Sequence, residues 1–307
     1  MPSDKRQRQR QNSAARTAAL RAAQQRRATR RRGIIGALAI AAVVGVVALI
    51  VVQSTGGSKK TTVSTKPAAA AATTVAPATT AVPGAPPVAS PVPAGKTITG
   101  VTPCPAADGS SPRASSFAQA PPTCIDPADQ YTATFNTSQG QIVVALDTTH
   151  TAGTVNNFVT LARYHYYDGS SFDRIDTSID IIQGGSPTTQ TIADPGPGYT
   201  INDEGAFTTD SSGTLHGPYT YAAGDLVMAR GSGPKSASAQ YFFVYGPAAS
   251  ALDQQGTYVV FGHVTQGLDV LQKVAGLYEA CPSSDQTCLG GAPSQVVLVN
   301  SITISQS

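Results

Sequence analysis

Twenty consecutive residues of this chain, 33–52, carry no polar side chain. A helix rises about 1.5 Å per residue, so a run of this length spans roughly 30 Å, the thickness of a bilayer's hydrocarbon core. The run follows Arg30, Arg31 and Arg32 directly, and positively charged flanks remain in the cytoplasm. The pattern predicts a single-pass transmembrane helix whose N-terminus is cytoplasmic. The alternative is a cleaved signal peptide, whose apolar region is shorter, about 7–15 residues, and ends in small residues.

Charge is distributed unevenly on the two sides of this segment. Residues 1–32 hold eleven of the 21 lysines and arginines and one acid, which predicts a basic cytoplasmic tail. Residues 126–307 hold five bases and sixteen acids. This part of the chain therefore lacks the basic face that nucleic-acid binding requires, and we expect no nucleic-acid partner.

Alanine, proline and threonine dominate the stretch that follows the apolar run. Residues 53–103 contain almost no bulky side chain, so they cannot bury enough apolar surface to offset the loss of chain entropy. We predict a disordered Ala/Pro/Thr-rich linker over 53–125, which includes Cys104 and Cys124. The linker would place the remaining residues, 126–307, outside the membrane as a separate domain.

The four cysteines all lie beyond the apolar run. Outside the cytoplasm, cysteines of this kind form disulfides more readily than metal sites. Neither the pair Cys104 and Cys124 nor the pair Cys281 and Cys288 has C-x2-C spacing or a histidine nearby. Four cysteines allow three pairings, and we favour the two local bridges, Cys104–Cys124 and Cys281–Cys288.

Short apolar runs separated by Gly, Pro and Asp fill the chain from Tyr131 onwards. Residues 131–146 alternate around a turn at 136–140, which predicts a β-hairpin. Helical spacing occurs in two places, 154–164, where Thr154 is a candidate N-cap, and 268–274. Many short strands with two helices predict a mainly β fold, an antiparallel barrel or sandwich with capping helices.

Common catalytic motifs are missing from this acidic domain. The sequence has no G-x-S-x-G and no glycine-rich phosphate loop, and its four histidines are isolated from one another and from the cysteines. Hydrolytic, metal-dependent and nucleotide-dependent chemistry is therefore disfavoured. We expect no metal and no cofactor.

An arginine in an apolar setting is the clearest candidate for chemistry. Arg174 lies between Phe172 and Ile175 in a domain that has three arginines. One interpretation is an exposed arginine paired with Asp173 or Asp176. The other is a charge placed in a groove for a ligand, and the surrounding sequence favours it.

Six strings occur in order around and after this arginine: TVNNFVTLARYHYYDGSSFDRI, IIQGG, GYTINDE, LVMAR, AQYFFVYG and LDQQGTYVVFGHVTQGLDVL. Together they resemble the cyclophilin family of peptidyl-prolyl cis/trans isomerases, over roughly 128–307, in a membrane-anchored, bacterial-like form. The resemblance implies a closed eight-stranded antiparallel β-barrel capped by two α-helices.

The resemblance also implies roles for individual residues. The catalytic residues it implies are Arg174, Gln183 and Gln240. The substrate-binding residues it implies are Ile181, Ala229, Arg230, Phe242, Leu252 and Tyr258. The expected function is peptidyl-prolyl isomerisation of Xaa-Pro bonds in exported proteins, with proline-containing peptides and exported client proteins as partners and the N-terminal helix in the cell membrane.

Three departures from the family pattern leave other functions open. The spacing from Arg174 to Gln183 is one residue longer than usual. The phenylalanine expected three residues before Gln183 is Asp180, or Ile179 if the extra residue falls later. Residues 276–293 resemble an inserted loop. The alternatives are a low-activity or inactive proline-peptide-binding module tethered to the cell envelope, and a structural domain with a vestigial groove.

Overall fold

The structure is a computed structural model that describes residues 87–282 and 289–307. The predicted basic tail, the membrane helix over 33–52 and the first part of the linker lie outside these residues and stay predictions. Within the described ranges, no helix has the length and hydropathy that a membrane crossing needs. All the described residues belong to one of the two units into which the chain divides, Ala78–Ser307.

Strands dominate the described part of the chain. In chain order they are β1 (Lys96–Ile98), β2 (Ala114–Phe117), β3 (Tyr131–Thr137), β4 (Gly140–Leu146), β5 (Ser170–Asp176), β6 (Ile181–Gly184), β7 (Thr208–Thr209), β8 (Leu215–His216), β9 (Asp225–Arg230), β10 (Ala237–Val244), β11 (Val260–Gln266), β12 (Tyr278–Ala280), β13 (Gly291–Pro293) and β14 (Val297–Gln306). The helices are α1 (Ala152–Arg163), α2 (Leu268–Ala275) and a 3-10 helix (Pro247–Leu252).

Eight of these strands close into a barrel. The order runs β5-β14-β3-β4-β11-β9-β10-β6, and β6 pairs with β5 to complete the ring. Every pair in the ring is antiparallel. The predicted closed eight-stranded antiparallel barrel is therefore confirmed, and β13 and β12 extend the sheet beside β5.

Alternating side chains fill the barrel. In β3, Tyr131, Ala133 and Phe135 are buried while the residues between them are partly exposed, as expected for a strand with one core-facing side. Phe158 of α1 covers Phe135, with ring centroids 5.8 Å apart, and meets the ring of Tyr241 on β10 at 6.0 Å. This aromatic cluster packs α1 against β3 and β10 of the barrel.

A carboxylate from a distant loop holds the start of α1. Glu204 accepts hydrogen bonds from the backbone N–H groups of Gly153, at 2.8 Å, and Thr154, at 2.7 Å. A negative charge at this position also favours the helix dipole. The helix begins at Ala152, so Thr154 lies inside its first turn and is not the N-cap that the sequence predicts.

The predicted linker differs from the structure between residues 87 and 125, a segment that we call the strap. Within it β1 and β2 pair in parallel, and Ala114 and Phe117 join the hydrophobic core. Arg113 donates hydrogen bonds to two carbonyl oxygens of the barrel, those of Asp168 at 2.8 Å and Tyr166 at 3.0 Å. A few side chains anchor a segment whose average composition is that of a linker.

A disulfide closes the strap. Cys104 and Cys124 are bonded across a sequence separation of 20 residues, which confirms the first predicted pair. Cys281 is also disulfide-bonded, whereas Cys288 lies outside the described residues. The pairing of Cys281 with Cys288 therefore stays a prediction.

Candidate active site

One groove collects all nine predicted catalytic and substrate-binding residues. Strand alternation explains why they share it. In β10, Tyr241 and Phe243 belong to the barrel core, whereas Phe242 and Val244 belong to a second, smaller apolar cluster. Since successive side chains of a strand point to opposite faces, the groove lies on the side of the sheet opposite the core.

The three predicted catalytic side chains form one hydrogen-bonded chain. Arg174 Nη1 donates to Gln183 Oε1 at 3.0 Å, and Gln183 Nε2 donates to Gln240 Oε1 at 2.8 Å. The chain ends where Gln240 Nε2 donates to the carbonyl oxygen of Ile192 at 3.2 Å. Because β5, β6 and β10 are neighbours in the barrel, this row of hydrogen bonds links side chains from three adjacent strands and holds Arg174 in position.

Two further contacts hold the guanidinium of Arg174. Its Nε donates to the carbonyl oxygen of Leu289 at 3.0 Å, and its Nη2 donates to Asp176 Oδ2 at 2.7 Å. Together with the bond to Gln183, these contacts use three of the five N–H donors that an arginine carries. One N–H on each terminal nitrogen makes no further bond to the described residues and is available to a ligand in the groove.

Asp176 keeps its charge beside the arginine. Burial disfavours ionisation of Asp176, but hydrogen bonds from Ser178 and Arg174 outweigh it, so the pKa of this carboxyl lies below its ordinary value. The sequence interpretation of Arg174 as an arginine paired with an aspartate is thus correct for the ion pair. It is wrong about exposure, because the Arg174 side chain is 17% exposed and lines the groove.

Apolar side chains form one wall of the groove. The rings of Phe242 and Tyr258 lie edge to face, with centroids 5.5 Å apart. Tyr221, which the sequence did not identify, fixes Tyr258 because its hydroxyl donates to the Tyr258 carbonyl and accepts from the Tyr258 N–H. Ile181 and Leu252 complete the wall. An apolar group of the size of a proline ring can pack against this wall, because neither surface needs a hydrogen-bond partner there.

Ile179 and Asp180, the two candidates for the position of the family's phenylalanine, differ in their surroundings. Asp180 has a left-handed backbone, with φ of 47°, and its Oδ2 accepts a hydrogen bond from the N–H of Ala248 at 2.8 Å. Its carboxylate therefore faces the 3-10 helix. Ile179 lines the groove, so it is the candidate that a bound peptide can contact.

Arg230 lines the groove, but its guanidinium contacts residues of the neighbouring loops. Arg230 Nη2 donates to the carbonyl oxygen of Gly233 and lies 3.7 Å from Asp203 Oδ2. Its side chain is 4% exposed. Both arginines of the groove are therefore paired with an aspartate, and Arg174 is the more exposed of the two side chains, at 17%.

A buried carboxyl lies beside Arg174 on β5. Neither oxygen of Asp173 has a hydrogen-bond partner among the described residues, and the hydroxyls of Ser186 and Tyr241 are also unpartnered. Burial raises the pKa of Asp173 to about 7, and the charge of Asp194 adds to the increase. Ser186 and Arg174 lower the pKa of Asp173, although Ser186 makes no well-formed hydrogen bond with the carboxyl.

Replacing Asp173 by Asn should change how stability depends on pH. The unfolded carboxyl loses its proton near its ordinary pKa of 3.8, and the folded one near 7. The folded state therefore binds more protons between these values, so wild-type stability falls as pH rises through this window. We expect the stability of Asp173→Asn relative to wild type to increase by about 3 kcal/mol from pH 5 to pH 8, measured by urea unfolding. Parallel pH profiles of the two proteins would contradict this assignment.

Some groups of the site carry no signal in the sequence. The carbonyl oxygens of Leu289 and Ile192 hold Arg174 and Gln240, and every residue type offers the same carbonyl. Tyr221 lies in a loop without periodicity, so no sequence pattern identified it. Ile179 was one of two candidates that spacing alone could not separate.

Comparison with known proteins gives a consistent result. Residues 132–301 match the family model described as "Cyclophilin type peptidyl-prolyl cis-trans isomerase/CLD". A Mycobacterium tuberculosis protein named "Probable peptidyl-prolyl cis-trans isomerase B" is 33% identical over 186 residues, which make up 58% of this chain and 56% of that protein. This chain therefore spans about half the length of that relative.

Shorter relatives are covered more fully. A Schizosaccharomyces pombe peptidyl-prolyl cis-trans isomerase is 38% identical over 138 residues, 45% of this chain and 81% of that protein. A solved structure of a Cryptosporidium parvum cyclophilin type peptidyl-prolyl cis-trans isomerase aligns with a TM-score of 0.42 and 23% identity, over 58% of this chain and 99% of that chain. Because the family match covers more than half of the sequence, the chain belongs to the cyclophilin-type peptidyl-prolyl cis-trans isomerase family.

Proposed function

We propose that this protein catalyses cis/trans isomerisation of Xaa-Pro peptide bonds. The observation that carries the proposal is the guanidinium of Arg174, which is fixed by Gln183 and Asp176 and keeps two free N–H donors beside an apolar wall. A proline ring on Phe242 would place its peptide bond next to these donors. Membership of the family supports the same activity.

The chemistry of the reaction explains why so few polar groups are sufficient. Amide resonance opposes rotation with a barrier of about 18–20 kcal/mol. Isomerisation breaks no covalent bond, so the protein needs no nucleophile and must only bind the twisted amide better than either planar form. As the amide twists, the prolyl nitrogen becomes pyramidal and gains a lone pair. A fixed, poorly solvated guanidinium stabilises that lone pair selectively.

The required stabilisation is larger than one hydrogen bond provides. An acceleration of about 10⁵ corresponds to roughly 7 kcal/mol, whereas a hydrogen bond to a charged group contributes about 1.5–3 kcal/mol. The remainder must come from the fit of the twisted peptide to the wall and from pairing with its backbone. Ala229 and Arg230, at the end of β9, are the residues to which we assign that pairing.

A binding module of low activity is the second candidate function. The ion pair of Arg174 with Asp176 favours it, because a neighbouring carboxylate reduces the positive potential that the twisted amide would meet. A protease-coupled isomerisation assay with a short Ala-Pro peptide separates the two functions. An isomerase accelerates the slow phase in proportion to its concentration, whereas a binding module titrates the peptide without acceleration.

We also propose that the clients are exported proteins and that the domain is held at the cell membrane. The uncharged run over 33–52, directly after Arg30–Arg32, supports an anchor with a cytoplasmic N-terminus. The disulfide between Cys104 and Cys124 supports an oxidising compartment for the domain.

Proteolysis of intact cells tests this topology. Protease added from outside should remove the domain and leave a small membrane-bound fragment that contains residues 1–52, because the linker is accessible and the anchor is protected. The cytoplasmic tail should resist cleavage until the cells are lysed. A domain found free in the medium, with its N-terminus near residue 55, would instead show that the apolar segment is a cleaved signal.

A further inference from the structure

A second cavity adjoins the active-site groove on the other side of Arg174. We call it the flanking cavity. Its walls are strap residues 87–89, the β5 residues around Phe172, residues 190–192 and residues between 289 and 296. Two of these walls, the strap and the segment 289–296 that contains β13, lie outside the eight strands of the barrel. The cavity is therefore a product of this chain's additions to the barrel.

The strap wall is fixed to the barrel. Gln190 Nε2 donates to the carbonyl oxygen of Ser90 at 3.2 Å, and the N–H of Val92 donates to the carbonyl oxygen of Pro187 at 3.0 Å. Gln190 itself is buried, and its Oε1 accepts from the N–H and the hydroxyl of Ser171. These bonds hold residues 87–89 over β5, so the cavity is formed before any ligand binds.

The rim of the cavity exposes apolar side chains. Val88 is 61% exposed and Leu289 is 52% exposed, and they are two of the four large apolar side chains that are exposed in the described ranges. Apolar exposure that is concentrated around a concavity marks a binding surface more often than scattered exposure does. The cavity volume is about 150 Å³, close to that of cavities that hold one benzene-sized group.

The flanking cavity is continuous with the groove. Arg174, Ile192 and Leu289 line both. A polypeptide that places a proline in the groove can therefore reach the mouth of the cavity within a few residues. The chain's own residues 53–86 are poor candidates for this place, because they contain no Leu, Ile, Met or aromatic residue.

We propose that the flanking cavity is a second subsite, which takes one large apolar side chain of the client polypeptide a few residues away from the isomerised proline. The inference rests on the proposed function. It predicts that this protein selects proline-containing segments with a neighbouring Leu or Phe, whereas the groove alone recognises the proline.

A peptide scan on the full-length chain in detergent tests the subsite. A nine-residue Ala-Pro peptide carries a single Leu, moved through the positions on either side of the proline, with Ser at the others. We expect KM to be about tenfold lower for Leu at one or two positions than for the all-Ser peptide. Val88→Ser should remove most of this advantage and leave turnover of a short Ala-Pro peptide unchanged. Val101→Ser, an exposed strap valine outside the cavity, is the matched control and should retain the advantage.

The outcomes separate failure of the subsite from failure of the isomerase. If no Leu position lowers KM while the peptides are turned over, or if the advantage survives Val88→Ser, the subsite assignment is wrong. If no peptide is turned over, the isomerase proposal fails. The dissociation constants of the same peptides are then measured by fluorescence anisotropy. A Leu preference that Val88→Ser abolishes then still supports the subsite, and uniform affinities overturn it. A Leu preference that coincides with dimerisation would assign the cavity to a second copy and also overturn the proposal.

Discussion

Replacing Arg174 by Ala should lower kcat/KM for an Xaa-Pro peptide by about 2–4 kcal/mol of transition-state stabilisation, roughly 30- to 1,000-fold. In the proposed mechanism Arg174 supplies the free N–H donors that meet the prolyl nitrogen, whereas Gln183 and Asp176 hold the guanidinium in place. The loss should fall mainly on kcat, because the planar ground state gains little from these donors. Isomerisation rates of wild type and variant at matched concentrations give the comparison.

Two measurements keep this expectation specific. Circular dichroism and thermal unfolding should show that Arg174→Ala remains folded, since Asp176 keeps its hydrogen bonds to Ser178. Arg174→Lys retains the charge but loses the planar fork that bonds Gln183, Asp176 and the Leu289 carbonyl together, so its activity should lie between those of wild type and the alanine variant. A folded Arg174→Ala protein with unchanged kcat/KM would remove Arg174 from its assigned role.

Removing the disulfide of the strap should destabilise the whole domain. The bond closes a loop with a sequence separation of 20 residues, for which the chain-entropy model gives about 3 kcal/mol. Because Ala114 and Phe117 of the strap join the barrel core, loosening the strap also loosens the core. We expect Cys104→Ser with Cys124→Ser to lose about 3 kcal/mol and to melt roughly 6–12 °C lower.

An exposed position in the same segment provides the control. Val101 is 72% exposed, so Val101→Ser should leave the melting temperature unchanged. If the strap were the linker that its composition suggests, the double cysteine variant would melt with the wild type. That result would show that residues 87–125 contribute nothing to the stability of the barrel.

The strand pattern predicted a barrel or a sandwich and the family resemblance implied the closed barrel, whereas neither predicted the strap. The hairpin of β3 and β4 shows clean alternation around Tyr131, Ala133 and Phe135, so local pattern and final structure agree. The strap is held by contacts between residues far apart in sequence, such as Arg113 with the carbonyls of Tyr166 and Asp168. Average composition carries no information about such contacts, so it predicts a linker over 87–125.

The active site also contains groups that the sequence predicted and groups that it could not predict. Arg174, Gln183 and Gln240 were identified because their side chains belong to a recognisable pattern. The pattern could not say that Ile179 rather than Asp180 lines the groove, because the Asp180 carboxylate is turned to the N–H of Ala248 by a local backbone conformation. It also could not reveal the carbonyl of Leu289, because a backbone group has no residue-specific signature.

The most direct test of the isomerase proposal is exchange NMR on an Ala-Pro peptide at equilibrium, with the full-length protein present at a few per cent of the peptide concentration. Uncatalysed exchange between cis and trans takes tens to hundreds of seconds, too slow for exchange cross-peaks. We predict cross-peaks between the two forms whose intensity rises with protein concentration and is strongly reduced with Arg174→Ala. Peptide that binds in the groove without such cross-peaks would contradict the isomerase and leave a proline-binding module.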